Sequence, residues 1–387
     1  MSQLTDINNT KISASQLAKL LYLYSIGSAV LIVPTMVTIV AKQDAWITML
    51  LVIPLQILVP LLYIYLSERF PNLSIAQYSE KLLGWFGGKL ITALFVFYFL
   101  MLSSLVLNNI SEFLNLSVLP ITPPLFINVT FMLVVLYGVF LGIETIARLG
   151  EIIYFWTIAV IIVVVLALYN QFNIHRFEPL LYEGWIPILR GMKVLMGFPV
   201  AEYVFMTLLL PMVKEEDRPK LKKSMVWSVI AIAVTGIILV LLLQGVLGIF
   251  ETSRSQFAIF DMAKNINIEE IVVRVEVLVA LVWIGSSFMK LVVCVYVLCL
   301  LTSKLFKLSN YRPIILPYIA VIIPLSMTLY RNIGHAKHFS LNIWGPYSIL
   351  QGIVIPLLLF AIAVMFHRKH QYDSNGGGEK LAQKLEE

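Results

Sequence analysis

Charge is scarce in this chain. Asp, Glu, Lys and Arg make up 13% of its 387 residues, where soluble domains carry about 25%. With 59% hydrophobic residues and a mean hydropathy of +0.89, the deficit excludes a soluble enzyme and points to a polytopic membrane protein. Cysteine is almost missing as well. Cys294 and Cys299 sit five positions apart inside an apolar stretch, on different helix faces, and read as buried small hydrophobes. A phosphate-cradling Gly-rich loop, a nucleophile–base arrangement and a metal-ligand cluster are all lacking, so no enzyme, cofactor or metal is expected. His335 and His338, three apart in an expected outer loop, are too few to hold a metal. No cleavable signal peptide is expected, because the apolar run after Lys19 is too long and lacks a small-residue cleavage site.

What is present is a succession of long apolar segments, two of them interrupted. The first carries Tyr24-Ser25-Ile26-Gly27-Ser28-Ala29-Val30 at its centre, with Pro34 two turns later. Gly weakens a helix and Pro removes a donor. In lipid an unpaired backbone group costs several kcal/mol, so a break is tolerated only inside protein or along a watery cavity. Gly197-Phe198-Pro199 interrupts the sixth segment in the same way. Interruptions at matching places in two halves point to a midplane binding site.

Ten segments are expected, at about 15–41, 45–66, 89–115, 124–142, 148–169, 186–211, 224–249, 272–301, 313–330 and 346–366. Ser13-Ala14-Ser15-Gln16 reads as a capping box opening the first. Leu73 to Leu83 reads as a short helix on the membrane surface. With both ends inside, 18 Lys and Arg fall on the inner side and 9 on the outer, leaving Lys290 within the eighth segment. This bias predicts cytoplasmic termini and accounts for the net charge of +6 without nucleic acid. The expected domains are a cytoplasmic segment at 1–12, one membrane domain at 13–366 and a cytoplasmic tail at 367–387. Ten segments divide as five plus five, repeat one at about 13–170 and repeat two at about 185–366. Because five is odd, the halves run with opposite topology. The expected fold class is therefore an all-α membrane protein, a 5+5 inverted repeat with segments 1 and 6 broken.

An ordered set of short motifs carries a family resemblance over nearly the whole chain. It comprises Lys11-Ile12-Ser13 with Gln16, Ile26-Gly27, Leu31 to Pro34, Thr122-Pro123, and Gly142-Ile143-Glu144 with Arg148 and Glu151. Phe198-Pro199, Glu202, Pro211, Trp283-Ile284-Gly285 and Lys290 complete it. The chain resembles the B subunit of GerA-type spore germination receptors, within the amino acid/polyamine/organocation transporter superfamily. The resemblance implies a LeuT-type fold and a small germinant, usually an amino acid. It also implies assembly with an A-type membrane subunit and a C-type lipoprotein subunit in the spore inner membrane. The chain departs from superfamily transporters at Ile26-Gly27-Ser28-Ala29, where many carry a Gly-Ser-Gly-type run.

The two interruptions together make the expected ligand site: Gly27, Ser28 and Ala29 from one side, Gly197, Phe198 and Pro199 from the other. Close helix packing is the plainer role for small residues. Tyr98 either closes the pocket with its ring and hydroxyl or is an ordinary buried tyrosine, and Ser286 and Ser287 either face the ligand or bond their own helix. Glu202 and Lys290 are intramembrane charges about 13 Å and 16 Å from their segment ends, so an ion pair or a proton relay is open to them. Glu144, Arg148 and Glu151 share a helix face near the inner end of the fifth segment and form either an inner gate or a surface network. The leading expectation is a germinant-sensing subunit that binds a small amino acid. The rivals are a proton-coupled amino acid transporter and a structural subunit with a vestigial pocket.

Overall fold

The computed structural model describes residues 11–264, 275–330 and 333–365. Residues 1–10 of the expected N-terminal segment and the expected tail at 367–387 lie outside the described residues. The first helix, α1 (Ala14–Ala41), opens on a full capping box: Gln16 N donates to Ser13 Oγ at 3.0 Å and Ser13 N donates to Gln16 Oε1 at 2.9 Å. The second segment consists of α2 (Ala45–Leu51) and α3 (Ile53–Arg69). A second capping box, Ser74 with Gln77, starts α4 (Ile75–Phe113). Gly84 bends α4 sharply at φ +76°, a conformation open to glycine without a Cβ penalty. The expected surface helix and the third segment are thus one element with a corner at Gly84.

Gly142 separates α5 (Pro124–Leu141) from α6 (Ile143–Leu168), so α6 starts five residues before the expected 148 and takes in Glu144. The sixth segment is broken at the predicted place. Its first half, α7 (Ile186–Gly197), stops at Gly197, and Pro199 offers no N–H to continue it. A tighter 3-10 stretch, Val200–Phe205, follows, then α8 (Met206–Leu209) and a closing turn, Leu210–Met212. The chain continues through α9 (Leu221–Val246), α10 (Ile249–Arg254), α11 (Ala258–Lys264), α12 (Val275–Leu305) and α13 (Arg312–Thr328). The last segment starts earlier than 346. It contains α14 (Ile333–Phe339), a widened π turn at Ser340–Trp344, α15 (Gly345–Ile349) and a second π turn at Leu350–Val354. His335 and His338 therefore sit in α14 rather than in a loop.

The first segment departs from expectation. Helix α1 stays helical through Gly27 and Pro34 to Ala41. Propensity is a weak prior that tertiary packing overrides. Here α1 is the inner post of the bundle, packed on α6, α7, α9 and α12. Eight helical stretches among the described residues are long and apolar enough to cross a bilayer, and Arg312–Thr328 is a shorter apolar helix. Side chains such as Leu58, Phe126, Tyr137, Phe155 and Leu166 are exposed on the outside of the bundle. Large apolar side chains exposed in this way suit a lipid-facing belt.

Candidate ligand-binding site

The break in the sixth segment positions the site. Where α7 ends, the 3-10 stretch narrows the chain and carries Glu202 into the middle of the bundle, fully buried. The unbroken helix α12 delivers Lys290 to the same depth, also fully buried, and the two form a salt bridge. Two such charges survive there because each satisfies the other; either one alone would carry a large desolvation penalty. Trp344 Nε1 donates to the second carboxylate oxygen of Glu202 at 3.3 Å. The Lys290 ammonium lies 4.9 Å from the ring centroid of Tyr24 and 4.9 Å from that of Phe198. Ring faces carry negative potential and hold a desolvated cation. Behind this cage Tyr24 stacks on Phe205 at 4.1 Å, and Tyr98 stacks on Trp344 at 5.2 Å while its hydroxyl donates to Ser348 Oγ at 3.4 Å.

A cavity of about 310 Å³ rises from this floor. Phe198, Glu202, Lys290 and Trp344 line it at the charge pair, and Thr35, Asn109, Asn342, Glu112, Arg190 and Lys193 belong to the rest of its lining. Arg190 precedes Phe198 by eight residues of α7, about 12 Å along a helix, and is exposed. The volume is in the range of small-molecule sites, and the mix of apolar wall and few polar groups is typical of them.

The opposite face is closed. Ile12 N donates to Met212 O at 3.0 Å and Lys214 N donates to Ile12 O at 3.1 Å, tying the start of α1 to the end of the sixth segment. Lys11 N donates to Glu144 Oε1 at 3.0 Å. Lys19 pairs with Glu151 at 2.6 Å, and Gln16 Nε2 donates to the same carboxylate at 3.3 Å. Glu144 and Glu151 thus clamp the start of α1 to α6, while Arg148, on the same helix face, is exposed.

The structure brings Phe198, Glu202 and Lys290 together at the cavity and leaves other expected residues beside it. At Gly27 α1 approaches α12 closely, against the Ser286 carbonyl. A Cβ there would meet the Ser286 carbonyl carbon at 2.7 Å and Ser287 N at 3.0 Å. Ser287 Oγ donates to Gly27 O, and Ser286 Oγ donates to Val282 O of its own helix at 2.7 Å. The side chains of Ser28 and Ala29 lie outside the described residues. Gly197 packs on the backbone of Gly345, with a Cβ-to-Cα distance of 2.7 Å if a side chain were added. Pro199 borders a second, smaller cavity of about 40 Å³ with Ser25 and Gln56. Tyr98 reaches the site through Trp344.

Sequence reasoning missed Trp344, Tyr24 and the glycines of the last segment. Gly352 lies so close to the Ala201 carbonyl that no side chain fits, and Tyr63 Oη donates to Gly352 O. The available signal was Gly345-Pro346 with Gly352 in an apolar segment, which marks a further irregular helix. Its π turns sit beside the 3-10 stretch that carries Glu202, and π turns recur at functional positions.

The architecture matches solved transporters. MhsT in complex with L-phenylalanine superposes with a TM-score of 0.63 at 14% identity, covering 94% of this chain and 100% of that one. A substrate-bound, outward-open Na⁺-coupled sialic acid symporter gives 0.63 at 10% identity, covering 89% and 80%. At such identities the likeness defines a class by fold alone: a multi-pass, all-α membrane protein of LeuT-type transporter fold. Within that class the chain belongs to the spore germination protein family, whose model matches residues 11–334. Spore germination protein KB of Bacillus subtilis is 29% identical over 377 residues, 96% of this chain and 99% of the relative. Spore germination protein YndE of the same organism is 26% identical over 352 residues, 88% and 95%. Spore germination protein A2 aligns over 176 residues at 27% identity, 44% of this chain and 47% of the relative.

Proposed function

We propose that the chain is the ligand-sensing membrane subunit of a nutrient germinant receptor. A small neutral amino acid enters the cavity, settles on Phe198 and Trp344 above the Glu202–Lys290 pair, and shifts the packing of the bundle. The observation that carries this reading is a cavity open at one face, floored by a buried charge pair and sealed at the other face, in a chain of the spore germination family. A ligand shifts such an equilibrium only by its difference in affinity for two packings. The broken sixth segment and the irregular last one are the elements able to differ. The orientation we propose has both termini cytoplasmic, so the cavity faces outward; the distribution of Lys and Arg supports it. A-type membrane and C-type lipoprotein subunits would read the change in the spore inner membrane.

A proton-coupled amino acid transporter is the second reading. It is favoured by the position of the Glu202–Lys290 pair between the cavity and the sealed face. One paired experiment separates the two. Spores and growing cells lacking the gene are tested across a panel of amino acids, for germination and for uptake. Loss of germination toward one amino acid with normal uptake supports the sensor. Loss of uptake with normal germination overturns it in favour of transport.

A further inference from the structure

The Lys290 ammonium occupies a ready-made seat for a protonated amine. Around it stand one carboxylate, Glu202, and two ring faces, Tyr24 and Phe198 at 4.9 Å each. These are the groups that would recognise the ammonium of a ligand. The seat opens into the cavity, because Phe198, Glu202 and Lys290 all line it. The two poles of the pair are carried differently. Glu202 is carried on the short 3-10 stretch and is held from the other side by Trp344 Nε1. Lys290 has a four-carbon stem with rotatable donors.

We propose that a zwitterionic ligand inserts into this pair. Its ammonium takes the seat between Tyr24 and Phe198 and bonds Glu202, while Lys290 swings aside to bond its carboxylate. One ion pair becomes two, and the buried region stays neutral throughout. A ligand carrying only an amine or only a carboxylate would leave one buried charge without compensation, which low-dielectric surroundings penalise. The pair therefore selects ligands by having both charges, and Lys290 is the internal occupant that a ligand must displace. This inference rests on the reading that the ligand binds at the cavity floor.

Purified protein in nanodiscs tests it by thermal-shift and calorimetric binding. L-Alanine, L-valine, L-leucine and L-proline are screened first. The amino acid that stabilises the protein most is then compared with the matching amine that lacks the carboxylate and the matching acid that lacks the ammonium. Wild type should prefer the zwitterion to either by at least about tenfold. Lys290→Met should shift preference toward the amine, and Glu202→Gln toward the acid. A merely structural pair would not exchange preferences in this way. The neutral double variant Glu202→Gln/Lys290→Met avoids an unpaired charge and should fold even where a single variant does not. It should lose at least about tenfold in affinity for the zwitterion. Wild-type binding with unchanged affinity in the double variant overturns the insertion and leaves the sensor reading intact. Absence of binding of all four amino acids to wild type overturns the site reading and the insertion together.

Discussion

Replacing Gly27 by alanine asks whether this glycine is a packing contact or a helix break. An added Cβ would lie 2.7 Å from the Ser286 carbonyl carbon and 3.0 Å from Ser287 N. Carbon atoms prefer 3.5–4.0 Å, so α1 and α12 must part by about 1 Å. Overpacking of this kind costs about 1–3 kcal/mol. The parting also stretches the hydrogen bond from Ser287 Oγ to Gly27 O, worth about 0.5–1.5 kcal/mol. Alanine returns up to about 1 kcal/mol in helix propensity. The net loss is about 1–3 kcal/mol. Thermal unfolding in nanodiscs measures it. Gly285→Ala on α12 is the control, since among the described residues its Cβ would meet only Ile153 Cγ2 at an ordinary 3.6 Å. Gly285→Ala should match wild type or exceed it by up to about 1 kcal/mol. If Gly27→Ala is as stable as wild type, or Gly285→Ala falls as far, the close-approach reasoning is wrong.

Two further outcomes follow from the cavity floor. Lys290→Met leaves Glu202 buried beside an apolar chain and should cost about 3–5 kcal/mol; adding Glu202→Gln should recover much of it, and single losses that add to within about 0.5 kcal/mol in the double variant would show that the pair is not coupled. Trp344→Phe keeps the ring beside Tyr98 but removes the donor to Glu202, with an expected loss of about 1–2 kcal/mol in thermal unfolding; Tyr98→Phe, which keeps that donor, should cost less.

How much could be read from the sequence depended on whether a residue's role was local. The capping box at Ser13 and the stop at Gly197-Phe198-Pro199 are written in adjacent residues, and the structure has each where the pattern indicates. The depth of Glu202 and Lys290 was also readable, because an intramembrane charge stands out against an apolar run. Gly27 shows the limit. The same glycine weakens an isolated helix and permits close packing of two, and only the presence of Ser286 and Ser287 across the interface decides between these. Trp344 had no local mark at all. A tryptophan in an apolar segment looks like any other until a partner at a distance of 142 residues gives its N–H a purpose. Likewise Glu144 and Glu151 were readable as a helix-face pair with Arg148, but their bonds run to Lys11, Gln16 and Lys19 of a different element.

The most direct test of ligand binding at the cavity floor is the germination dose–response of spores carrying Phe198→Ala, with receptor abundance measured in the same spores. Phe198 lines the cavity and faces the Lys290 ammonium. The expected result is an at least about tenfold rise in the amino acid concentration for half-maximal germination, or a changed amino acid preference, at wild-type abundance. An unchanged dose–response and preference at wild-type abundance would place the ligand elsewhere and contradict the site.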